Sequence, residues 1–275
     1  MVELTCPGKL ESILLCTDGS PASQGAVNAA LALARACGAK LFALIVIEVN
    51  PEFEAQAPDL IIQVEKEVLA PIQAEAAGLG VLLETRTRRC LVASSAIVQE
   101  ADDIKPDMIV MGRHGRSGLA RLMMGSVTAR VIGHSPYNVL VVPREAALSF
   151  NRLLVASDGS SYSDAAFREA LAMTKEGGGH LLAVVVAREE AEFPMTLELT
   201  DRLQHEANRQ GVPLETVMLQ GQADDAIVQT AVKNQVNLII MGSHGRTGLT
   251  RLLMGSVTER TIGQAPCPVL VVKRF

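Results

Sequence analysis

The stretch VMGRHGRSGLARLMMGSVTAR, residues 110–130, returns as IMGSHGRTGLTRLLMGSVTER, residues 240–260, with 15 of 21 positions identical. Each copy opens on an aliphatic run of strand length that ends in glycine, passes through a glycine-rich loop, and re-enters a helical period at SVTAR or SVTER. Strand, loop and helix in that order predict a βα unit, because a parallel neighbour strand is reached only through a long crossover, usually helical. The glycine spacing is GxxG, nine residues, then GS: Gly112, Gly115, Gly125 and Ser126 in one copy, Gly242, Gly245, Gly255 and Ser256 in the other. This is neither a Walker A sequence nor the compact GxGxxG fingerprint.

Working outward, SILLCTDGSPASQGAVNAALALA from Ser12 recurs in outline as RLLVASDGSSYSDAAFREALAMT from Arg152. The whole chain is therefore a duplication, which predicts a domain over residues 1–147 and a second over 148–275, in keeping with roughly 150 residues per domain. Aliphatic runs alternate with segments of helical period in each half, the pattern of an open, doubly wound parallel sheet. Predicted strands are Ser12 to Thr17, Leu41 to Ile47, Val81 to Thr85, Met108 to Gly112 and Val139 to Val142. The second half repeats them at Leu153 to Ser157, Leu181 to Val186, Leu214 to Leu219, Leu238 to Gly242 and Val269 to Val272. The first helix of each half follows a DGS turn, where Asp18 and Ser20, or Asp158 and Ser160, supply turn and N-cap chemistry.

Composition narrows the function classes. The 275 residues are 48% hydrophobic and 20% charged, which fits a packed globule, and a net charge of −5 leaves no basic surplus for general nucleic-acid binding. Aromatic residues are only 3%, with no Trp, so base-stacking platforms are scarce. No stretch approaches the ~18 consecutive apolar residues of a membrane span, and the start reads as neither signal peptide nor anchor. Five cysteines, at positions 6, 16, 37, 90 and 267, form no CxxC or metal-like cluster; their odd number suits reduced, mostly buried thiols and a cytoplasmic location.

Gly112 and Gly242 end aliphatic strands, so the loops that follow project from the carboxyl edge of the sheet, where open α/β folds place ligands. Gly115 and Gly245 permit a close backbone approach that a side chain would block. Beyond Gly125 and Gly255, the amides of Ser126, Val127 and Thr128, or of Ser256, Val257 and Thr258, and the hydroxyls among them offer phosphate oxygens a helix N-terminus. The alternative is a turn kept for folding. Arg116 and Arg121, with Arg246 and Arg251, add positive charge that either steers a polyphosphate or solubilises the surface. His114 and His244 can donate a hydrogen bond, but no neighbouring carboxylate or nucleophile makes them catalytic. A strand order that reverses between the first and fourth strands would bring Asp18 and Asp158 beside these loops, as acceptors for a ribose hydroxyl or adenine; otherwise each caps its own turn.

The combination resembles the universal stress protein family, as a tandem of two family domains. The resemblance runs over nearly the whole chain: LLCTDGS around Asp18, LLVASDGS around Asp158, both glycine loops, and the terminal YNVLVV and CPVLVV strands. It implies a five-stranded parallel sheet in each domain, final strands paired across a pseudo-twofold axis so that one chain imitates a dimer, and adenine nucleotide as ligand. The nucleoside-holding role falls to Asp18 and Asp158, and the phosphate loop to Gly112, Gly115, Gly125, Ser126 and Thr128 and to Gly242, Gly245, Gly255, Ser256 and Thr258. Val46 and Val186 are adenine-side contacts or ordinary sheet core. The expected ligand is ATP with Mg2+ carried mainly on its phosphates, and the expected role is regulatory, with occupancy controlling domain packing or an unidentified protein partner. Slow Mg-dependent ATP hydrolysis and a nucleotide-independent scaffold are the alternatives, and a further homodimer is open.

The halves diverge after the third strand. LQGQADDAIVQTA from Leu219 has Gly221 where RCLVASSAIVQEA from Arg89 has Leu91, a change expected to narrow or redirect the first pocket, or only to reshape its loop. The second half is therefore the preferred ATP site. Cys90, beside Arg88 and Arg89, raises the prospect of a redox-sensing thiol, while Cys16 and Cys37 read as small hydrophobes.

Overall fold

Strands form here because their side chains are buried on both faces at once. In the computed structural model, which describes residues 4–49, 57–115, 124–246 and 254–273, the first half supplies β1 (Ser12–Cys16), β2 (Lys40–Glu48), β3 (Leu83–Cys90), β4 (Met108–Gly112) and β5 (Asn138–Val142). The second supplies β6 (Arg152–Ser157), β7 (His180–Ala187), β8 (Leu214–Gln220), β9 (Leu238–Gly242) and β10 (Val269–Val272). Between them run α1 (Gln24–Cys37), α2 (Ala57–Val64), which passes through a π turn at Glu65–Leu69 into α3 (Ala70–Gly78), then α4 (Ala93–Ile104) and α5 (Ser126–His134). Their counterparts are α6 (Ser161–Gly177), α7 (Phe193–Gln210), α8 (Ala223–Lys233) and α9 (Ser256–Gln264).

All ten strands join one sheet in the order β3-β2-β1-β4-β5-β10-β9-β6-β7-β8. Every pairing within a half is parallel, and β1 lies between β2 and β4, so the order reverses there, the condition under which Asp18 and Asp158 come beside the glycine loops. The halves meet where β5 and β10 pair antiparallel, Leu140 opposite Leu270 and Val141 opposite Val269. Residues alternate between two cores: Ile13, Leu15 and Val110 face α1 and its neighbours, whereas Leu14, Ile109 and Met111 face the layer of α4 and α5. Both faces being covered, the strands read as unbroken apolar runs.

The two edge strands, β3 and β8, are the exceptions, with no residue fully buried in either. β3 runs to Cys90, past the predicted end at Thr85, because the sheet edge accepts the polar sequence LETRTRRC. Arg86 and Arg88 are engaged by Glu84, by the buried Glu100 of α4 and by Asp103, which places charge along an edge that would otherwise invite strand addition. At Cys90 burial pushes the thiol up, a backbone hydrogen bond from Val92 opposes this and Glu48 adds to the rise, while Arg88 is committed to carboxylates.

The cysteine expectation is corrected as well. Cys6 and Cys37 are disulfide-bonded, with Cα atoms 4.9 Å apart. Leu4 and Leu10 pack on the core beside α1, and the segment between them carries Cys6 over the last residue of that helix. Cys16 and Cys267 are free and buried; burial raises both thiols, Cys267 to about 12.

Two cations cross the seam between the halves. Arg113 Nη1 donates to the Ala265 carbonyl (2.9 Å) just beyond α9, and Lys273 Nζ donates to the Ile132 carbonyl in the last turn of α5. Each answers unpaired carbonyls at a helix C-terminus. Burial lowers Lys273 to about 8. A lysine whose folded value is depressed binds its proton less readily than the unfolded chain does, so stability rises with pH between about 8 and the ordinary lysine value. Relative to Lys273→Met, the wild type is expected to gain up to about 1.4 kcal/mol per pH unit in that window, read from denaturant melts at pH 7.5, 8.5 and 9.5. Parallel pH profiles would refute it.

Candidate functional site

The reversal of strand order makes a crevice where the chain leaving β1 and the chain leaving β4 turn to opposite faces of the sheet. The TDGS and SDGS turns sit on one wall. In the second half, Asp158 Oδ1 accepts from the Ser160 amide (3.0 Å) and Oδ2 from the Arg246 amide across the crevice (2.8 Å). Burial alone would raise this carboxyl; hydrogen bonds from the Ser160 hydroxyl and amide, the Arg246 amide and Ser163 outweigh it and hold the group below its ordinary value. Asp158 is thus an anionic acceptor facing a cleft. In the first half, Asp18 Oδ1 accepts from both the Ser20 amide (3.0 Å) and hydroxyl (2.7 Å).

The caps differ. Ser160 caps α6 by accepting from the Ser163 amide. Ser20 makes no side-chain cap, and Pro21 leads through a short 3-10 turn into α1.

The glycines of the other wall are explained by contact. A Cβ on Gly245 would stand 2.6 Å from Asp158 Oδ2, and one on Gly115 2.8 Å from Asp18 Oδ2. Nothing larger than hydrogen fits between loop and carboxylate. Gly125 donates its amide to the Arg113 carbonyl (2.8 Å) and Gly255 to that of Ser243 (2.9 Å), closing each loop at its neck. Both glycines are N-caps in extended conformation with no side-chain cap, so the first amides of α5 and α9 are left to other acceptors. Ser126 and Ser256 are exposed there, but Thr128 and Thr258 are buried and donate to the Gly112 and Gly242 carbonyls (3.0 and 2.9 Å). Those hydroxyl protons secure the strand end rather than being held out for phosphate.

The walls enclose a cleft of about 520 Å³ in the first half and about 230 Å³ in the second. Asp18, Val46, Gly112, His114, Gly115, Gly125, Ser126, Val127 and Thr128 line the first. Asp158, Val186, Gly242, His244, Gly245, Arg246, Gly255, Ser256, Val257 and Thr258 line the second. Arg116, Arg121 and Arg251 lie outside the described residues. Val46 and Val186 are half-buried at the ends of β2 and β7. Ser243 Oγ lies 3.0 Å from His244 Nδ1, and the His244 ring meets Tyr162 at 5.0 Å between centroids. Among the described residues no cluster of three or more His, Cys, Asp or Glu side chains could hold a metal ion.

The expected narrowing by Leu91 is not observed. Leu91 is 69% exposed, it does not line the cleft, and the first cleft is the larger. Strand register shows why: from Leu83 to Ala93 is ten steps, from Leu214 to Ala223 only nine, so the first half spends one more residue reaching its helix. Counted along the strands, the station of Gly221 is held by Cys90. Gly221 itself has φ +132°, a conformation that excludes most side chains.

Sequence reasoning missed other lining residues. Thr17 and Ser23 share a hydroxyl bond (2.8 Å), as do Ser157 and Ser163 (3.2 Å), behind each aspartate; their equal spacing in the repeat was the available signal. Glu48 and Arg188 line the clefts from the ends of the second strands, and Leu60 and Val64 of α2 line the first, with no motif to mark them.

The universal stress protein family model matches residues 9–143 and 149–273. A universal stress protein of Methanocaldococcus jannaschii is 35% identical over 46% of the chain and 83% of its own length. One from Synechocystis is 24% identical over 96% of this chain and 100% of its own. The crystal structure of a universal stress protein from Archaeoglobus fulgidus superposes with a TM-score of 0.78 over 96% of this chain and 98% of that one; at 23% identity it speaks to fold alone. With the glycine loop repeated on the same wall of each crevice and both halves matched, the chain belongs to the universal stress protein family as a tandem of two family domains.

Proposed function

We propose that the protein binds ATP in one or both of these crevices, with the second cleft the preferred site, and that occupancy regulates domain packing or the binding of a protein partner in a stress response. One observation carries the reading: in both halves the first-strand aspartate and the glycine loop, remote in sequence, meet so closely that a methyl group at Gly115 or Gly245 would strike the carboxylate. A fixed anionic acceptor suits sugar hydroxyls or a base amine. The uncapped amides opening α5 and α9, with Ser126 or Ser256, suit phosphate oxygens. Val46 and Val186 present apolar surface to the base.

Magnesium fits as the hard cation of the triphosphate and supplies charge neutralisation there; the chain's part is to orient the nucleotide between carboxylate and amides. No helix among the described residues is long and apolar enough to cross a membrane, and we place the protein in the cytoplasm with its nucleotide pool. Calorimetric titration of the full chain with ATP and magnesium tests the reading. Two sites, or one lost on Asp158→Ala, are expected. Absence of binding by the folded protein would refute it and favour a nucleotide-independent scaffold.

A further inference from the structure

The two clefts are alike in their motifs and opposite in charge at one station. Lys40 stands beside Ser12 as His180 stands beside Arg152, so counting along β2 and β7 brings Glu48 and Arg188 to equivalent places just beyond Val46 and Val186. Both line their clefts. Glu48 is anchored there, its Oε1 accepting from the Ala93 amide at the start of α4 (2.8 Å). Arg188 is held by its own backbone, whose amide donates to Glu192 (2.7 Å), and among the described residues its guanidinium makes no ion pair. Changing a carboxylate to a guanidinium at the same point alters the charge of that station by two units; Glu192 also lines the second cleft, so Arg188 offsets a carboxylate there where Glu48 adds one in the first, and the difference acts on the total charge of whatever enters.

We infer that this station sets how much negative charge each cleft accepts: Arg188 tunes the second to polyphosphorylated nucleotide, and Glu48 turns the first toward the uncharged nucleoside or a nucleotide carrying little charge. The inference rests on the nucleotide reading above and adds a ligand preference to it. The first cleft's shape agrees, being about 520 Å³ against about 230 Å³ and lined by Leu60 and Val64 as well as the repeated residues, so it has room and apolar surface for a ligand held less by its phosphates.

The test is calorimetric titration with adenosine and with ATP in two backgrounds of the full chain. Gly115→Ala leaves the second cleft to be read alone, and Gly245→Ala the first. In the first background Arg188→Gln is expected to lower ATP affinity about tenfold, by one interaction of near-surface charges, with adenosine unchanged. In the second, Glu48→Gln, which keeps an acceptor for the Ala93 amide, is expected to raise ATP affinity by a similar factor, again with adenosine unchanged. Arg188→Glu and Glu48→Lys should extend each shift in the same direction, and higher salt should shrink all four. Equal changes for both ligands, or an ATP-to-adenosine ratio that no variant moves, would overturn the charge station while leaving nucleotide binding intact. Failure of the wild type to bind either ligand would overturn the nucleotide reading itself.

Discussion

Gly245→Ala is expected to weaken ATP binding at the second cleft by about 10- to 150-fold, the equivalent of losing one hydrogen bond to a charged group, while leaving the fold in place. The added methyl would lie 2.6 Å from Asp158 Oδ2, well inside contact distance, and among the described residues the carboxylate is the only neighbour it strikes. Relief comes from swinging Asp158 away, which breaks its 2.8 Å bond from the Arg246 amide and removes the acceptor from the cleft. Other glycines of the motif make useful contrasts. A methyl at Gly255 would meet His244 Cα and the Ser243 carbonyl at 3.4 Å, a contact that small adjustments relieve, so Gly255→Ala should bind nearly as the wild type does. A methyl at Gly242 would meet the backbone of Tyr162 at 2.7 Å, and backbone cannot step aside, so that variant should lose stability instead. Isothermal titration and thermal melts on the three proteins separate these results. Undiminished ATP binding by a folded Gly245→Ala protein would show that the carboxylate does not hold the nucleotide.

Most of the fold and the geometry of the candidate site were legible because they rest on local or repeated signals. Strands buried on both faces announce themselves as apolar runs, and Met108 to Gly112, Leu238 to Gly242 and Val269 to Val272 have the bounds expected from sequence. The meeting of Asp158 with Gly245 followed from one topological condition, the reversal of strand order beside β1. What escaped depended on register or on partners remote in the chain. β3 lacks the apolar signal because an edge strand satisfies its side chains with ions from α4 rather than by burial. The divergence after the third strand was misaligned by one residue because helices α4 and α8 match at one offset and strands β3 and β8 at another. Glu48 and Arg188 carry no motif; only their common station on a strand makes the reversal of charge visible.

The cysteines were illegible for the same reason, and they yield the second large effect. Opening the Cys6–Cys37 bond, by reductant or by Cys6→Ser, is expected to destabilise the first half by about 3–4 kcal/mol, the loop-closure entropy returned to the unfolded chain when a link across some 31 residues is cut. At roughly 2–4 °C per kcal/mol for a chain of this size, the melting transition should fall by several degrees. ATP affinity should stay constant. Cys37 is the last residue of α1, whereas the Asp18 turn precedes the helix, so the link and the cleft lie at opposite ends of it. A bond that contributes stability without touching the site would let redox state alter the lifetime of the fold independently of nucleotide occupancy. Melts and ATP titrations with and without reductant decide this. A transition that reductant and Cys6→Ser both leave unmoved would show that the N-terminal segment is held by Leu4 and Leu10 alone, and a loss of ATP affinity would show that α1 transmits strain from one end to the other.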